Sequence, residues 1–317
     1  MIKRIVFPIA LLGFLLGAFI VLEPGSKDAV VDLDVMAGET AHQVLNKLIA
    51  KGILINRYPF LFWMKIRGAD TNIRLGRYQF QQGRSAFWIV DDLKKGKTKK
   101  SRVLIPEGYA SWQIAQKFSE GEVCDALSFM NVVGQKAWEG FLFPATYDLD
   151  VGLPAERVAE FMKKRFDDTW RSEWDGRARE LGLSKKDIVT LASIVQREGK
   201  FEDEFGMISA LYHNRLKKKM RLQADPTVQY AKGKWVKKLY YIDYRSTQSP
   251  YNTYLIYGLP PGPICSPGEK ALLAALWPAE ADVLYMVAQE DGKHDFSTSL
   301  RDHVNKVNKR NRQKQKR

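Results

Sequence analysis

Two cysteines in 317 residues, Cys124 and Cys265, are too few for a disulfide scaffold, a cysteine-rich zinc module or an iron–sulfur cluster. Whether the two pair or remain thiols is left open by their spacing. Histidine is almost as scarce: His42, His213, His294 and His303 are the whole set, and none forms the H-E-x-x-H pair of a zinc protease. No G-x-S-x-G elbow and no G-x-G-x-x-G turn occurs. Gly96-Lys97-Thr98 matches the end of a phosphate-binding loop, but Asp91 stands where its first glycine belongs. Metal, nucleotide and serine-nucleophile chemistries lose their support. No metal and no cofactor is expected, and a carboxyl-based mechanism remains.

Aromatics are not scarce. With 8 Trp, 16 Phe and 13 Tyr the chain is no disordered polymer. Its length suits two domains. Charge is lopsided: 50 Lys+Arg against 36 Asp+Glu give +14. Such a balance fits nucleic acid, anionic lipid or an anionic polymer. Half of it lies in residues 301–317, where eight basic residues face only Asp302. A like-charge run of this kind is expected to be a solvated basic tail.

The N-terminus decides the expected compartment. Ile5 to Leu22 carries no charge. At 1.5 Å per residue a helix there spans about 27 Å, close to a hydrocarbon core. Lys3 and Arg4 precede it, while Glu23 and Asp28 follow, so residues 1–4 are expected in the cytoplasm and the rest outside. A cleaved signal peptide is the rival reading, although no A-x-A site follows the run. Either way the bulk of the chain is exported, which argues against nucleic acid as partner. A nucleic-acid binder survives only if the segment is not inserted.

Val31, Leu33 and Val35 alternate as on a strand, and Val44, Leu45, Leu48 and Ile49 recur at helical spacing up to Gly52. Leu75–Phe80 reads as a strand and Ala86–Leu93 as a helix. A weak repeat links Gly38…Gln43-Val44-Leu45 with Gly108…Gln113-Ile114-Ala115, each after a strand. The pattern resembles a LysM-like module, a small glycan-binding fold; a generic strand–helix unit is the plainer alternative. One charged helix is expected from Glu156 to about Arg179, with Val158, Phe161, Met162, Phe166 and Trp170 on its packed face. Val283–Gln289 reads as a strand followed by a turn at Asp291-Gly292.

The candidate carboxyl is Glu198. From the N-cap Ser184, Ile188–Val195 is apolar nearly all round, as in a buried helix. Glu198 follows Leu191, Ile194 and Val195 by seven, four and three residues, at the end of that stripe. Partial burial and the helix C-terminus would both raise its pKa, as a general acid requires. From spacing alone, an exposed glutamate balanced by Arg197 or Lys200 is the plainer alternative. The stiff loop Ser249–Ile264 carries Tyr251, Asn252 and Tyr254 among its Pro and Gly residues, and suits either sugar recognition or a structural turn.

Six segments in order resemble the YceG-like family of endolytic murein transglycosylases: Glu139–Pro144, Leu191–Glu198, Asn214–Leu216 with Met220–Thr227, Tyr251–Tyr254, Gly258–Gly262 and His294–Phe296. The resemblance runs over roughly residues 30–303. It implies an α+β fold: a transmembrane helix at 5–22, a LysM-like region at 23–132, a catalytic domain at 133–300 with helices around a modest sheet, then the tail. It implies cleavage of MurNAc–GlcNAc β-1,4 bonds within nascent glycan strands, with Glu198 as acid and then base. Muramidase-type hydrolysis and a non-catalytic peptidoglycan-binding scaffold are the alternatives. The expected substrate-binding set is Asn214, Gln223, Asp225, Tyr251, Asn252, Tyr254 and His294. Asn252 and Gln223 are candidates for orienting the N-acetyl group. Peptidoglycan strands and, further, peptidoglycan synthases (penicillin-binding proteins) are the expected partners, at the plasma (inner) membrane with the catalytic domain on the periplasmic side. Two departures stand out. Gln196 replaces a glutamate common in the family, and Ala145-Thr146 replaces a common Asp-Thr.

Overall fold

The computed structural model describes residues 27–315 apart from Ala37, Asp70, Thr71, Asn72 and Lys237. The expected membrane span Ile5–Leu22 lies outside the described residues. Among those described, no helix is long and apolar enough to cross a membrane. The architecture is α+β, with helices and three two-stranded sheets.

The chain packs as two units. One holds the described residues up to Arg102, with Gly121–Cys124 and Asp148–Pro154. Here β1 (Lys27–Val35) leads through α1 (Ala41–Ala50) and α2 (Arg57–Arg67) to β2 (Gly76–Gln82), and α3 (Ala86–Lys95) follows. The strands run antiparallel, with Leu33 opposite Tyr78 and Val31 opposite Phe80. Leu33, Tyr78 and Phe80 join Val44, Leu45 and Leu48 of α1, Phe60 and Met64 of α2, and Ile89 and Val90 of α3 in one core. The alternation and the helical spacing anticipated these faces.

The weak repeat has a local explanation. Thr40 caps α1, and Oε1 of Gln43 accepts the Thr40 backbone N–H at 2.8 Å. In the second copy β3 (Lys100–Leu104) leads to α4 (Ser111–Glu120), and Oε1 of Gln113 accepts the Ala110 N–H at 3.2 Å. The repeated glutamine serves a helix start in both places. Packing puts the second copy, within Val103–Glu120, with the second unit.

The second unit comprises Val103–Glu120, Asp125–Tyr147 and the described residues from Ala155 onward. It contains α5 (Ala126–Lys136) and, beyond β4 (Thr146–Asp150), α6 (Ala155–Thr169), α7 (Ser172–Glu180) and α8 (Lys185–Glu198). The single helix expected over 156–179 is two. The chain turns at Trp170 so that Trp170 and Trp174 both enter the core, edge to face at 5.3 Å, and Phe161 is left exposed.

Helix α8 is the centre of this unit. Ser184 and Asp187 form a capping box at its start, with reciprocal bonds of 3.1 and 2.9 Å. Ile188 to Val195 are all buried. Against them pack α9 (Phe205–Lys217), α10 (Asp225–Ala231) and α12 (Glu269–Leu276); the short α11 is Tyr241–Ser246. The helix stops at Gly199, where a Cβ would press 2.7 Å from the ring of Phe205. Oγ of Ser193 accepts the Ile264 N–H at 3.0 Å and so anchors the Pro/Gly loop. Gly140 lies under the same loop at φ +80°, with Pro263 where a Cβ would be. Cys265 is buried beside it, its thiol donating to Ser193 O at 3.3 Å, and no disulfide joins it to Cys124.

The expected basic tail is a helix, α13 (Leu300–Gln315). It lies on the antiparallel pair β5 (Tyr285–Ala288) and β6 (His294–Ser297). Lys306 Nζ donates to Phe296 O at 2.6 Å and Arg310 to Ala288 O at 3.1 Å. These charges are spent on strand carbonyls rather than left to solvent. Lys309 and Arg312 remain exposed.

Candidate active site

Glu198 ends α8 at the wall of a cavity of about 370 Å³. Tyr212 and Arg215, three residues apart on α9, line it beside Glu198, together with Gln223, Asp225 and Tyr254. Tyr285, His294, Leu300 and His303 enter from the β5–β6 pair and α13.

The hydroxyl of Tyr212 donates to Oε1 of Glu198 at 2.9 Å. Burial raises the Glu198 pKa most, and the Asp225 charge adds to it. Tyr212, the Asp225 backbone N–H and the Arg215 guanidinium pull the other way. The balance leaves Glu198 at about 7 against an ordinary 4.5. Glu198 is half-buried and lines the cavity. Protein atoms around it deny the carboxylate its hydration, which is the cause of the shift.

Asp225 is held from two sides. Tyr244 donates to its Oδ2 at 3.1 Å and Tyr254 to its Oδ1 at 2.5 Å. Desolvation first and the Asp225 charge second raise both phenols, Tyr244 to about 12. Arg215 donates through Nε to Leu284 O at 2.8 Å and through a terminal nitrogen to Leu222 O at 2.6 Å. It thus fixes both the β5 approach and the loop ahead of Gln223. Gln223 adopts φ +52°, a conformation uncommon for a residue with a side chain, held by its N–H to Thr253 O at 3.1 Å. It is exposed and lines the cavity.

His294 is oriented by Glu204. Its backbone N–H donates to Oε1 at 2.7 Å, and its Nδ1 lies 3.2 Å from Oε2. A carboxylate only accepts, so Nδ1 carries a proton in this contact.

The expected set therefore divides. Gln223, Asp225, Tyr254 and His294 gather around Glu198. Asn252 is fully buried: Nδ2 donates to Tyr244 O and Thr247 O, both at 2.9 Å, and Oδ1 accepts the Tyr254 N–H at 3.0 Å. No amide hydrogen is left for a sugar. Asn214 likewise spends its amide on Ala281 O at 2.7 Å and Val283 O at 3.0 Å, and faces another cavity. Tyr251 packs on Tyr230, with centroids 4.8 Å apart, outside the Glu198 cavity. Tyr212, Arg215, Tyr285 and His303 were absent from the expected set. The segment Asn214–Leu216 pointed to Arg215, but the scarcity of histidine was the only sequence signal for His303.

Over residues 33–309 the chain matches the model of the YceG-like family. This chain belongs to that family. A Bacillus subtilis (strain 168) protein named endolytic murein transglycosylase is 30% identical over 323 residues, covering 90% of this chain and 88% of its own. A Streptococcus pneumoniae protein of the same name is 26% identical over 337 residues, covering 93% of this chain but 60% of its own. The crystal structure of a YceG-like protein from Listeria monocytogenes superposes with a TM-score of 0.58 at 29% identity, over 88% of this chain and 99% of that one. Within the YceG-like fold, then, the cavity at the end of α8 presents one carboxyl poised near neutrality. Among the described residues no group of side chains is arranged to hold a metal ion.

Proposed function

We propose that this protein is an endolytic lytic transglycosylase, a lyase that cleaves MurNAc–GlcNAc β-1,4 bonds within nascent peptidoglycan strands and so ends their elongation. The observation that carries the reading is Glu198, walled into a cavity with its pKa near 7. The name of the Bacillus relative agrees with it.

The chemistry needs one carboxyl. Protonated Glu198 donates to the glycosidic oxygen as its bond to C1 breaks and positive charge develops on the ring. The resulting carboxylate takes the proton of the MurNAc C6 hydroxyl, whose oxygen bonds to C1 and closes the 1,6-anhydro ring. Glu198 ends protonated, as it began, and no water is consumed. Tyr212 holds the carboxyl in place, and the Asp225 charge faces the developing cation. A two-carboxyl hydrolase would need Asp225 as base or nucleophile, whereas the transglycosylase route uses Asp225, held by Tyr244 and Tyr254, only as a nearby charge. With Asn252 committed, Gln223 is the amide available to the N-acetyl group.

The same reading has Ile5–Leu22 as an anchor with the N-terminus cytoplasmic and the remainder at the outer face of the plasma membrane. The first unit, with its β-α-α-β order and exposed Tyr58 and Trp88, would be a LysM-like glycan-binding module. Peptidoglycan synthases would be its neighbours. The deciding test is mass spectrometry of products from purified strands. Anhydro ends are expected from the native protein and none from Glu198→Gln. Reducing ends carrying solvent oxygen would mean a muramidase, and no cleavage a binding scaffold.

A further inference from the structure

Arg197 stands one residue before Glu198 yet does not pair with it. Arg215 is the cation acting on Glu198. The Arg197 guanidinium instead lies 4.0 Å over the ring of Trp235. Among the described residues it makes no hydrogen bond or ion pair, and its Nε is buried without a partner. A half-buried guanidinium with no acceptor is costly and uncommon. Nearby acids are engaged elsewhere: Glu107 with Gln196, and Glu139 with Ser111 and Tyr230.

The surroundings fix this cation in place. Trp235 Nε1 donates to Gln113 Oε1 at 2.6 Å, which fixes the ring beneath the guanidinium. Trp112 continues the aromatic surface, 5.6 Å from Trp235. Gly108, at φ +77°, leaves the space occupied by the Arg197 side chain; a Cβ there would lie 3.4 Å from Arg197 Cδ. Lys234 and Lys238 flank Trp235 in sequence and are exposed. A planar fork of donors on an aromatic base suits a carboxylate, which it can bind bidentately.

We infer that Arg197, seated on Trp235, is a subsite for a carboxylate of the peptide attached to the glycan strand next to the cleaved bond. The inference rests on the proposed transglycosylase function, because the strand supplies the carboxylate. It makes Arg197 a specificity residue: peptide-bearing strands are preferred over strands stripped of peptide.

The full-length protein is assayed on peptide-bearing strands, on strands stripped by an amidase, and on peptide-bearing strands whose carboxylates have been amidated. The native protein should favour the first in kcat/KM. That preference should fall about tenfold in Arg197→Gln, the worth of one charge-assisted hydrogen bond, and partly return in Arg197→Lys. Amidation should abolish it with the native protein, an arm that needs no variant to fold. Equal use of amidated and free strands, or an Arg197→Gln loss shared equally by stripped strands, would overturn the subsite. Absence of anhydro ends from every substrate would instead sink the transglycosylase reading. Filter-binding of the same strands would then decide the subsite alone.

Discussion

Asp225 acts on Glu198 in two opposite senses. Its carboxylate charge disfavours ionisation of Glu198, while its backbone N–H, donated to the same carboxyl, favours it. Tyr244 and Tyr254 hold the Asp225 carboxylate in position for the first effect. The acid is therefore tuned by a neighbour whose own oxygens are occupied.

Activity should fall as pH rises through about 7, because Glu198 must start protonated. Asp225→Asn removes the charge that raises the Glu198 pKa, so this alkaline limb should move to lower pH, by about one unit. Tyr212→Phe removes a donor that favours the carboxylate, so the limb should move to higher pH. Rate–pH profiles of the two variants should shift in opposite directions; a shared direction would contradict this tuning.

Glu198 also costs stability above neutral pH. In the unfolded chain it titrates near its ordinary 4.5, in the folded protein near 7. Below pH 4.5 both states hold the proton and nothing is lost. Between those values the unfolded chain releases its proton first, and the folded state loses stability steadily. Above 7 the full cost applies, on the order of 3 kcal/mol. Glu198→Gln should therefore melt higher than the native protein at pH 8, with the gap closing by pH 4.5. A constant gap across that range would show that burial does not govern this carboxyl.

Asn252→Ala should act on folding. It strips the Tyr244 and Thr247 carbonyls of a donor and the Tyr254 N–H of an acceptor. A loss of about 2 kcal/mol in urea unfolding is expected. If stability is unchanged while strand affinity drops sharply, the residue is a sugar contact after all.

Helix α13 should matter to turnover. His303 stacks on Tyr285 with centroids 5.4 Å apart, and both line the cavity. Lys306→Ala with Arg310→Ala removes two bonds to the strands below, so about 1–2 kcal/mol of helix docking should go. A higher KM should accompany faster amide hydrogen exchange in 300–315. Unaltered exchange and KM would reduce the helix to a passenger.

Glu198 was legible because its place depends on one helix: a capped start, a buried stripe and a polar residue in register at the end. Its partner Tyr212 was not, because that bond joins two helices and no periodicity records such a meeting. Asn252 looked like a sugar ligand because a turn asparagine and a binding asparagine share the same neighbours in sequence; only the carbonyl partners tell them apart. The C-terminal helix was hidden by its own composition. Charge suggested solvent, and the strand carbonyls that receive Lys306 and Arg310 could not be foreseen.

The lining of the cavity has an order in time. A chain made from its N-terminus presents Glu198 about a hundred residues before His303. Until α13 settles on β5 and β6, the cavity lacks Leu300 and His303 from its lining. A half-made molecule thus carries the acid before the last part of its site exists.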